Sequence, residues 1–142
     1  MNVLISGCLL GINCRYDGKG NLIPEISELL KKHNLIPVCP EQLGGLVTPR
    51  EAAEIRNGRV VTKSGIDITE EFTKGALEVL RLAKLYGCTV AILKERSPSC
   101  GSNCRYDGTF SGTLIAGDGI TAELLKENGI TVYGESDLSQ LL

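Results

Sequence analysis

The sequence lacks the features that would associate it with nucleic acid, with a membrane or with secretion. Its 142 residues carry a net charge of −2, without the basic excess typical of nucleic-acid and membrane surfaces. Apolar residues make up 42% of the chain, yet no run approaches the roughly 18 residues that a membrane helix needs. Residues 1–5 lead into a predicted strand, without the basic and apolar regions of a signal peptide. We therefore expect one cytoplasmic domain, residues 1–142, that acts on a small molecule.

The sequence also lacks the C-x2-C pair that is typical of structural zinc sites. It nevertheless contains six cysteines, and because persistent disulfides are uncommon in a reducing compartment, this number favours metal-binding or catalytic roles. The spacings are C-x5-C from Cys8 to Cys14 and C-x3-C from Cys100 to Cys104. These spacings do not favour a zinc site. An iron–sulfur cluster remains open, because ligands that come from separate strand ends need no local spacing motif.

Apolar runs alternate with helical patterns along the chain. An Asp-x-x-Glu pattern at Asp67 and Glu70 resembles a capping box at a helix start. We predict a three-layer α/β/α fold with a mostly parallel sheet, Rossmann-like or flavodoxin-like, with helices on both faces. The predicted strands cover residues 2–6, 35–38, 89–93, 113–116 and 131–133. The predicted helices cover about residues 24–33, 67–87 and 121–128. We expect residues 46–64 to form a long loop or a small hairpin, and residues 94–108 to form a loop.

Three cysteines follow predicted strands. Cys8 lies just beyond the first strand, Cys39 ends the second where Pro40 interrupts the ladder, and Cys100 lies in the loop after the third. Parallel sheets bind ligands outside the carboxyl ends of their strands, so a shared site is indicated. From the residues alone, chance placement explains the three positions equally well. Cys88, at the start of a strand, is interpreted as a buried small hydrophobe.

One six-residue segment occurs twice. Asn13-Cys14-Arg15-Tyr16-Asp17-Gly18 is repeated letter for letter at residues 103–108. No periodic array accompanies the two copies, so a repeat architecture is not supported. Tyr-Asp-Gly is an ordinary turn sequence, and we expect two similar turns that flank one site.

Several segments, in order along almost the whole chain, resemble the thiouracil desulfidase family. They are Ser6-Gly7-Cys8-Leu9-Leu10-Gly11, Val38-Cys39-Pro40-Glu41 with Gly44-Gly45-Leu46, Lys94-Glu95-Arg96-Ser97-Pro98-Ser99-Cys100-Gly101, and Tyr106-Asp107-Gly108-Thr109-Phe110-Ser111-Gly112. The resemblance implies a 4Fe-4S cluster held by Cys8, Cys39 and Cys100 only, with one iron free of protein ligands. It implies non-redox desulfuration of a thiolated pyrimidine, as the free base or nucleotide, to the oxo form and sulfide. RNA is not expected as a substrate, because the chain lacks the additional domain that some relatives carry.

The resemblance also implies two catalytic residues. Glu41 falls at the position of the family's acid–base carboxylate, and Ser97 at that of a serine important for activity. Without the family, Glu41 is interpreted as a loop carboxylate that caps a helix, and Ser97 as a turn residue. Cys14 and Cys104 are not needed for a three-cysteine cluster and are expected to be bystanders.

Two other functions compete with this interpretation. The first is an iron–sulfur or zinc protein for sensing or electron transfer, in which Cys14 or Cys104 closes the metal as a fourth ligand. The second is nucleotide binding at Gly117-Asp118-Gly119, which imitates a dinucleotide fingerprint before a strand that ends at Glu135. No second mononucleotide half follows, so a phosphate at this helix start, or at Lys94 and Arg96, is expected rather than NAD.

Overall fold

The computed structural model describes all 142 residues. In chain order the strands are β1 (Asn2–Ser6), β2 (Asn34–Val38), β3 (Ala53–Arg56), β4 (Arg59–Thr62), β5 (Val90–Leu93), β6 (Cys104–Tyr106), β7 (Leu114–Ala116) and β8 (Thr131–Gly134). The helices are α1 (Ile26–Lys32), α2 (Pro40–Leu43), α3 (Thr69–Leu85) and α4 (Ile120–Glu127), and a 3-10 helix covers Gly7–Leu10. None of the helices combines the length and apolar character needed to cross a bilayer.

Four strands form the central sheet, in the order β2-β1-β5-β8, and all neighbouring pairs are parallel. β1 and β5 lie in the middle, where both faces of the sheet are covered, and this explains their continuous apolar sequences. The carboxyl ends of β2, β1 and β5 consequently lie side by side at one edge of the sheet.

Helices cover both faces of this sheet, and the predicted α/β class is confirmed. Side chains alternate along each strand, so Leu4 joins a buried cluster with Val79 of α3 and Leu125 of α4. Its neighbours Val3 and Ile5 point to the other face and pack in a second cluster with Leu29 of α1 and with the C-terminal segment. This arrangement gives the three layers that the alternating pattern predicted.

Three local predictions were wrong. The segment 94–108 is not only a loop, because β6 lies within it and pairs antiparallel with β7 outside the parallel sheet. The four-residue helix α2 was missed, since one turn is too short to show a period. Asp67 forms no capping box with Glu70: α3 begins at Thr69, whose backbone N–H donates to Asp67 Oδ1 at 2.9 Å. Residues 46–64, by contrast, were expected to form a long loop or a small hairpin, and they contain the antiparallel pair β3–β4.

Two glycines allow α2 to lie directly against α3. A methyl group on Gly44 would overlap the carbonyl oxygen of Glu71, and one on Gly75 would overlap that of Pro40. The two backbones therefore approach more closely than any other residue allows. This contact fixes α2 at the edge of the sheet, immediately after β2.

Candidate active site

A cavity of about 440 Å³ lies at the carboxyl ends of β1, β2 and β5. All five residues predicted for the site line it, namely Cys8, Cys39, Cys100, Glu41 and Ser97. Cys14 lines the same cavity, whereas Cys88 and Cys104 do not. The structure thus brings the predicted residues to one place; their roles in a reaction stay predictions.

Each of the three thiols follows a different strand of the sheet. Cys8 lies in the 3-10 helix after β1 and is 6% exposed. Cys39 directly follows β2 and precedes α2, where Pro40 occupies the first helical position. Cys100 is 5% exposed and lies in the turn after β5. The parallel order of the sheet is therefore what assembles the thiols from distant parts of the sequence.

Two of these three thiols, Cys39 and Cys100, have raised pKa values that favour the protonated form in the protein without metal. A hydrogen bond with Cys14, followed by burial, raises the pKa of Cys39 far above its ordinary value. Burial raises the pKa of Cys100 to about 12. Metal ligands must be thiolates, so binding of a metal at this site releases protons.

Cys14 lies against two of these thiols. Its side chain is 3% exposed and forms hydrogen-bond contacts with Cys39 and Cys8, while the Cys39 thiol also donates to the Cys14 carbonyl oxygen at 3.7 Å. The Cys39 bond lowers the pKa of Cys14, but the Cys8 bond and burial raise it overall. Cys14 therefore contacts two of the predicted ligands inside the cavity. Cys104 lies in β6, outside the cavity.

The two copies of the repeated segment share the same local contacts at their Asp-Gly pair, although only the second copy contains a strand, β6. Asp17 Oδ1 accepts the backbone N–H of Lys19 at 3.0 Å, and Asp107 Oδ1 accepts that of Thr109 at 2.9 Å. The glycine that follows each aspartate has a positive φ, 77° at Gly18 and 93° at Gly108. Arg15 and Tyr16 of the first copy and Tyr106 of the second line the cavity, so the two turns flank one site.

Glu41 forms a nearly buried ion pair with Arg50. Nε of Arg50 donates to Glu41 Oε2 at 2.7 Å, a second guanidinium nitrogen is also bonded to that oxygen, and the two side chains are only 9% and 14% exposed. Arg50 also donates to the Cys14 carbonyl oxygen at 3.0 Å and to Thr48 Oγ1 at 2.9 Å. The guanidinium joins three chain segments around the cavity, and Glu41 Oε1 has no hydrogen-bond partner within the protein.

Ser97 organises the turn that carries Cys100. Its hydroxyl oxygen accepts the backbone N–H groups of Ser99 at 3.1 Å and Cys100 at 3.0 Å. Because these bonds use the lone pairs of the oxygen, the hydroxyl proton is still available for donation. Ser97 is therefore a turn residue, as its sequence context indicates, and also places a donor at the cavity.

The donor set of the cavity fits a 4Fe-4S cluster. Its thiols line the cavity from separate chain segments. Thiolates are the protein ligands of 4Fe-4S clusters, and a cluster fills more space than an ion.

The backbone N–H groups at the start of α4, after Gly117–Gly119, are not free to bind a phosphate. The backbone N–H groups at the start of α4 are already bonded, Ile120 to the Pro98 carbonyl at 2.9 Å and Thr121 to the Ser99 carbonyl at 2.8 Å. Glu135, placed like a ribose-binding carboxylate, instead accepts Lys94 Nζ at 2.7 Å. The N–H groups join the loop after β5 to α4, which argues against the phosphate site predicted at this helix. Lys94 lines the cavity, and its contact with a phosphate stays a prediction.

Sequence reasoning assigned no role to Arg50, Glu54 or Phe110, which all line the cavity, although Phe110 belongs to one of the family motifs. Glu54 carries a detectable signal, because it is a lone carboxylate between apolar residues of a strand and is 9% exposed. Arg50 and Phe110 lie in loops where no period marks them. Only their contacts across the cavity show that they belong to the site.

Comparisons with known proteins agree with this geometry. Residues 3–137 match the family described as 2-thiouracil desulfurase. A Bacillus subtilis (strain 168) protein named "Uncharacterized protein YbbK" is 45% identical over 150 aligned residues, which cover 99% of this chain and 99% of that protein. A solved structure described as "[4Fe-4S]-dependent thiouracil desulfidase TudS (DUF523Vcz)" superposes with a TM-score of 0.93 at 43% identity, over 99% of this chain and 94% of that one. The resemblance predicted from the sequence motifs is confirmed, and the chain belongs to the 2-thiouracil desulfurase family.

Proposed function

We propose that this protein is a 4Fe-4S-dependent thiouracil desulfidase. It exchanges the thiocarbonyl sulfur of a thiolated pyrimidine for the oxygen of water, so that a C=S bond and water give a C=O bond and hydrogen sulfide without net electron transfer. The observation that carries the proposal is the convergence of three thiols from adjacent strand ends on one cavity that also contains Glu41 and Ser97. Family membership and the likeness to a solved structure described as a thiouracil desulfidase support the same activity.

Cys8, Cys39 and Cys100 would hold the cluster, since each is a thiol at the cavity wall. When bound by three thiolates only, a 4Fe-4S cluster supplies one iron with an open position, a Lewis acid suited to the soft sulfur of a thiocarbonyl. The other residues of the cavity then have to orient the pyrimidine and the water and to move protons.

Glu41 is proposed to take up a proton from the attacking water. Its Oε2 is fixed by Arg50, so its free Oε1 is the atom left for a water molecule or for the substrate. Arg50 acts as a positioning residue, because it fixes Glu41 while it also bonds the Cys14 carbonyl and Thr48. Ser97, through its free hydroxyl proton, is proposed to hydrogen-bond the pyrimidine or the water.

The substrate is proposed to be a free base or a nucleotide. Arg96 lines the cavity and forms no ion pair, whereas Lys94 is bonded to Glu135. Arg96 is therefore the loop cation that is available to a phosphate group. A nucleotide substrate requires this contact, and a free base does not.

The test is sulfide release by the protein after anaerobic cluster reconstitution. The loaded protein is incubated with 2-thiouracil, 4-thiouracil and their nucleotides, with Glu41→Gln as the matched control. We expect sulfide and the oxo-pyrimidine from at least one compound, and a cluster-loaded but inactive control variant. A loaded wild-type protein that releases sulfide from none of these compounds would contradict the proposal.

The position of Cys14 favours one second candidate, an electron-transfer or sensing cluster closed by a fourth protein ligand. Cys14 is buried in the same cavity beside Cys8 and Cys39. The count of ligands separates the two functions. Mössbauer spectra of the substrate-free loaded protein should show one iron with a distinct environment, and the same spectra should be obtained from Cys14→Ala. Loss of the cluster in that variant would favour the four-ligand protein.

A further inference from the structure

Most of the few aromatic side chains of this protein line the cavity. The protein has no tryptophan, two phenylalanines and four tyrosines. Four of these six rings line the cavity: Tyr16, Phe72, Tyr106 and Phe110. Phe72 is 1% exposed and belongs to the core, and Tyr16 is 44% exposed at the rim. Phe110 and Tyr106 are the partly buried rings that a ligand in the cavity could contact.

The backbone of Phe110 is held in a conformation that bulky residues rarely adopt. Its φ is 57°, in the left-handed region that favours glycine. Glu54 Oε1 accepts the backbone N–H of Phe110 at 3.1 Å and that of Gly108 at 3.0 Å, and Glu54 itself is 9% exposed. A nearly buried carboxylate of β3 thus fixes the turn between β6 and β7 at the cavity wall. Backbone strain of this kind is concentrated at functional sites.

Arg56 completes this support from one side of the ring. Its guanidinium lies 6.0 Å from the centre of the Phe110 ring and donates two hydrogen bonds to the Gly108 carbonyl, at 2.9 and 2.6 Å. Glu54 and Arg56 are two residues apart on β3. One strand therefore supplies both a carboxylate for the N–H groups of the turn and a cation beside the ring, so the backbone position from which the ring projects is fixed.

We propose that Phe110 is a stacking platform for the flat heteroaromatic ring of the substrate, and that Glu54 positions it. This inference rests on the proposed function and identifies the substrate feature that the cavity selects: a planar ring beside the thiocarbonyl. Stacking on an aromatic side chain is tolerant of ring substituents, because every pyrimidine has a π face. Phe110 determines affinity for the ring and takes no part in proton transfer or in binding of the cluster.

The test compares Phe110→Leu and Phe110→Tyr in the cluster-loaded protein, with Tyr86→Leu as the control. Tyr86 is an aromatic residue at the end of α3, outside the cavity and 48% exposed. Phe110→Leu should raise the KM for thiouracil and the inhibition constant for uracil about tenfold, as expected for loss of one stacked base. The kcat should change less than threefold. Phe110→Tyr, which keeps an aromatic ring, should raise the KM less than Phe110→Leu does, and Tyr86→Leu should behave as wild type.

A matched pair of ligands separates stacking from a general loosening of the cavity. Uracil and 5,6-dihydrouracil carry the same polar groups, but only uracil is aromatic. We expect wild type to prefer uracil about tenfold, and Phe110→Leu to lose that preference. Equal weakening of both ligands, or a larger loss of preference in Tyr106→Leu, would overturn the assignment to Phe110.

The role of Glu54 is tested by a double-mutant cycle. If Glu54 acts through Phe110, Glu54→Ala should raise the KM, and Glu54→Ala combined with Phe110→Leu should be no worse than Phe110→Leu alone. Additive effects would overturn the positioning role.

Binding of uracil, measured by calorimetry on wild type and Phe110→Leu, tests the stacking role of Phe110 independently of turnover. A wild-type protein that binds uracil but releases no sulfide would refute the proposed reaction and leave the stacking role standing.

Discussion

The ion pair between Glu41 and Arg50 should contribute to stability far more than a surface pair does. With the two side chains only 9% and 14% exposed, replacement of Arg50 by glutamine leaves the Glu41 carboxylate nearly buried and unpaired. It also removes guanidinium bonds to Thr48 and to the Cys14 carbonyl. Loss of one partner of a buried pair costs about 3–5 kcal/mol, a large part of a typical unfolding free energy of about 5–15 kcal/mol.

The measurement is a double-mutant cycle on the cluster-free protein by denaturant unfolding. Arg50→Gln should lower the free energy of unfolding by about 3 kcal/mol. Addition of Glu41→Gln should recover more than half of that loss, because no charge is then left buried and unpaired. Activity should stay lost in the double variant, since the carboxylate is gone.

A second ion pair of the same protein provides the control. Arg59 and Asp67 are 2.9 Å apart, but their side chains are 58% and 43% exposed. The same cycle on this pair should give a much smaller coupling energy, because solvent screens both charges. The cycle cancels the separate contribution of Asp67 to the turn before α3. A coupling for Glu41 and Arg50 no larger than that of the control would refute the reasoning.

Three further predictions concern the cluster, the Cys100 turn and the helix contact. Alanine at Cys8, Cys39 or Cys100 should abolish the visible absorption of the reconstituted cluster, whereas Cys104→Ala should retain it; retention in all four variants would refute the ligand set. Ser97→Ala should reduce sulfide release at least tenfold with cluster still present, because it removes the hydroxyl donor, and it should also weaken the turn that carries Cys100; unchanged release would contradict its role. Gly75→Ala should destabilise the protein by about 1–3 kcal/mol despite the better helix propensity of alanine, because α2 must move away from α3. Thermal unfolding should show no comparable loss for Leu77→Ala, a substitution at an exposed position of the same helix. Equal stability of the two variants would contradict the close contact.

The strand ends were predictable because local signals mark them. Apolar runs stop at Gly7 and at Pro40, and a glycine or proline after a buried run indicates the end of a strand whatever surrounds it. The parallel order then follows from the alternation of strands and helices, and with it the meeting of Cys8, Cys39 and Cys100. The cofactor and reaction came from the family motifs, since spacing alone left chance placement open.

The rest of the site depends on contacts between residues that are distant in sequence or lie in irregular loops. Glu54 bonds a turn more than fifty residues away, and no pattern within β3 specifies that partner. The hairpin of β6 and β7 was missed because strands of three residues give too little alternation to count. The glycine pattern before α4 predicted free N–H groups for a phosphate, but these groups are bonded to the loop around Cys100. A local pattern cannot show such a long-range contact.

The distribution of the three thiols over β1, β2 and β5 has a consequence for how the protein matures. Cys8 and Cys39 emerge early from the ribosome, but Cys100 follows most of the chain, and its turn is bonded to α4, which is synthesised later still. A nascent chain shorter than 100 residues lacks one of the three thiols, so they can come together only late in synthesis. A ligand that binds only the folded sheet stabilises it by mass action. A cluster bound between these strand ends should therefore raise the free energy of unfolding of the whole sheet.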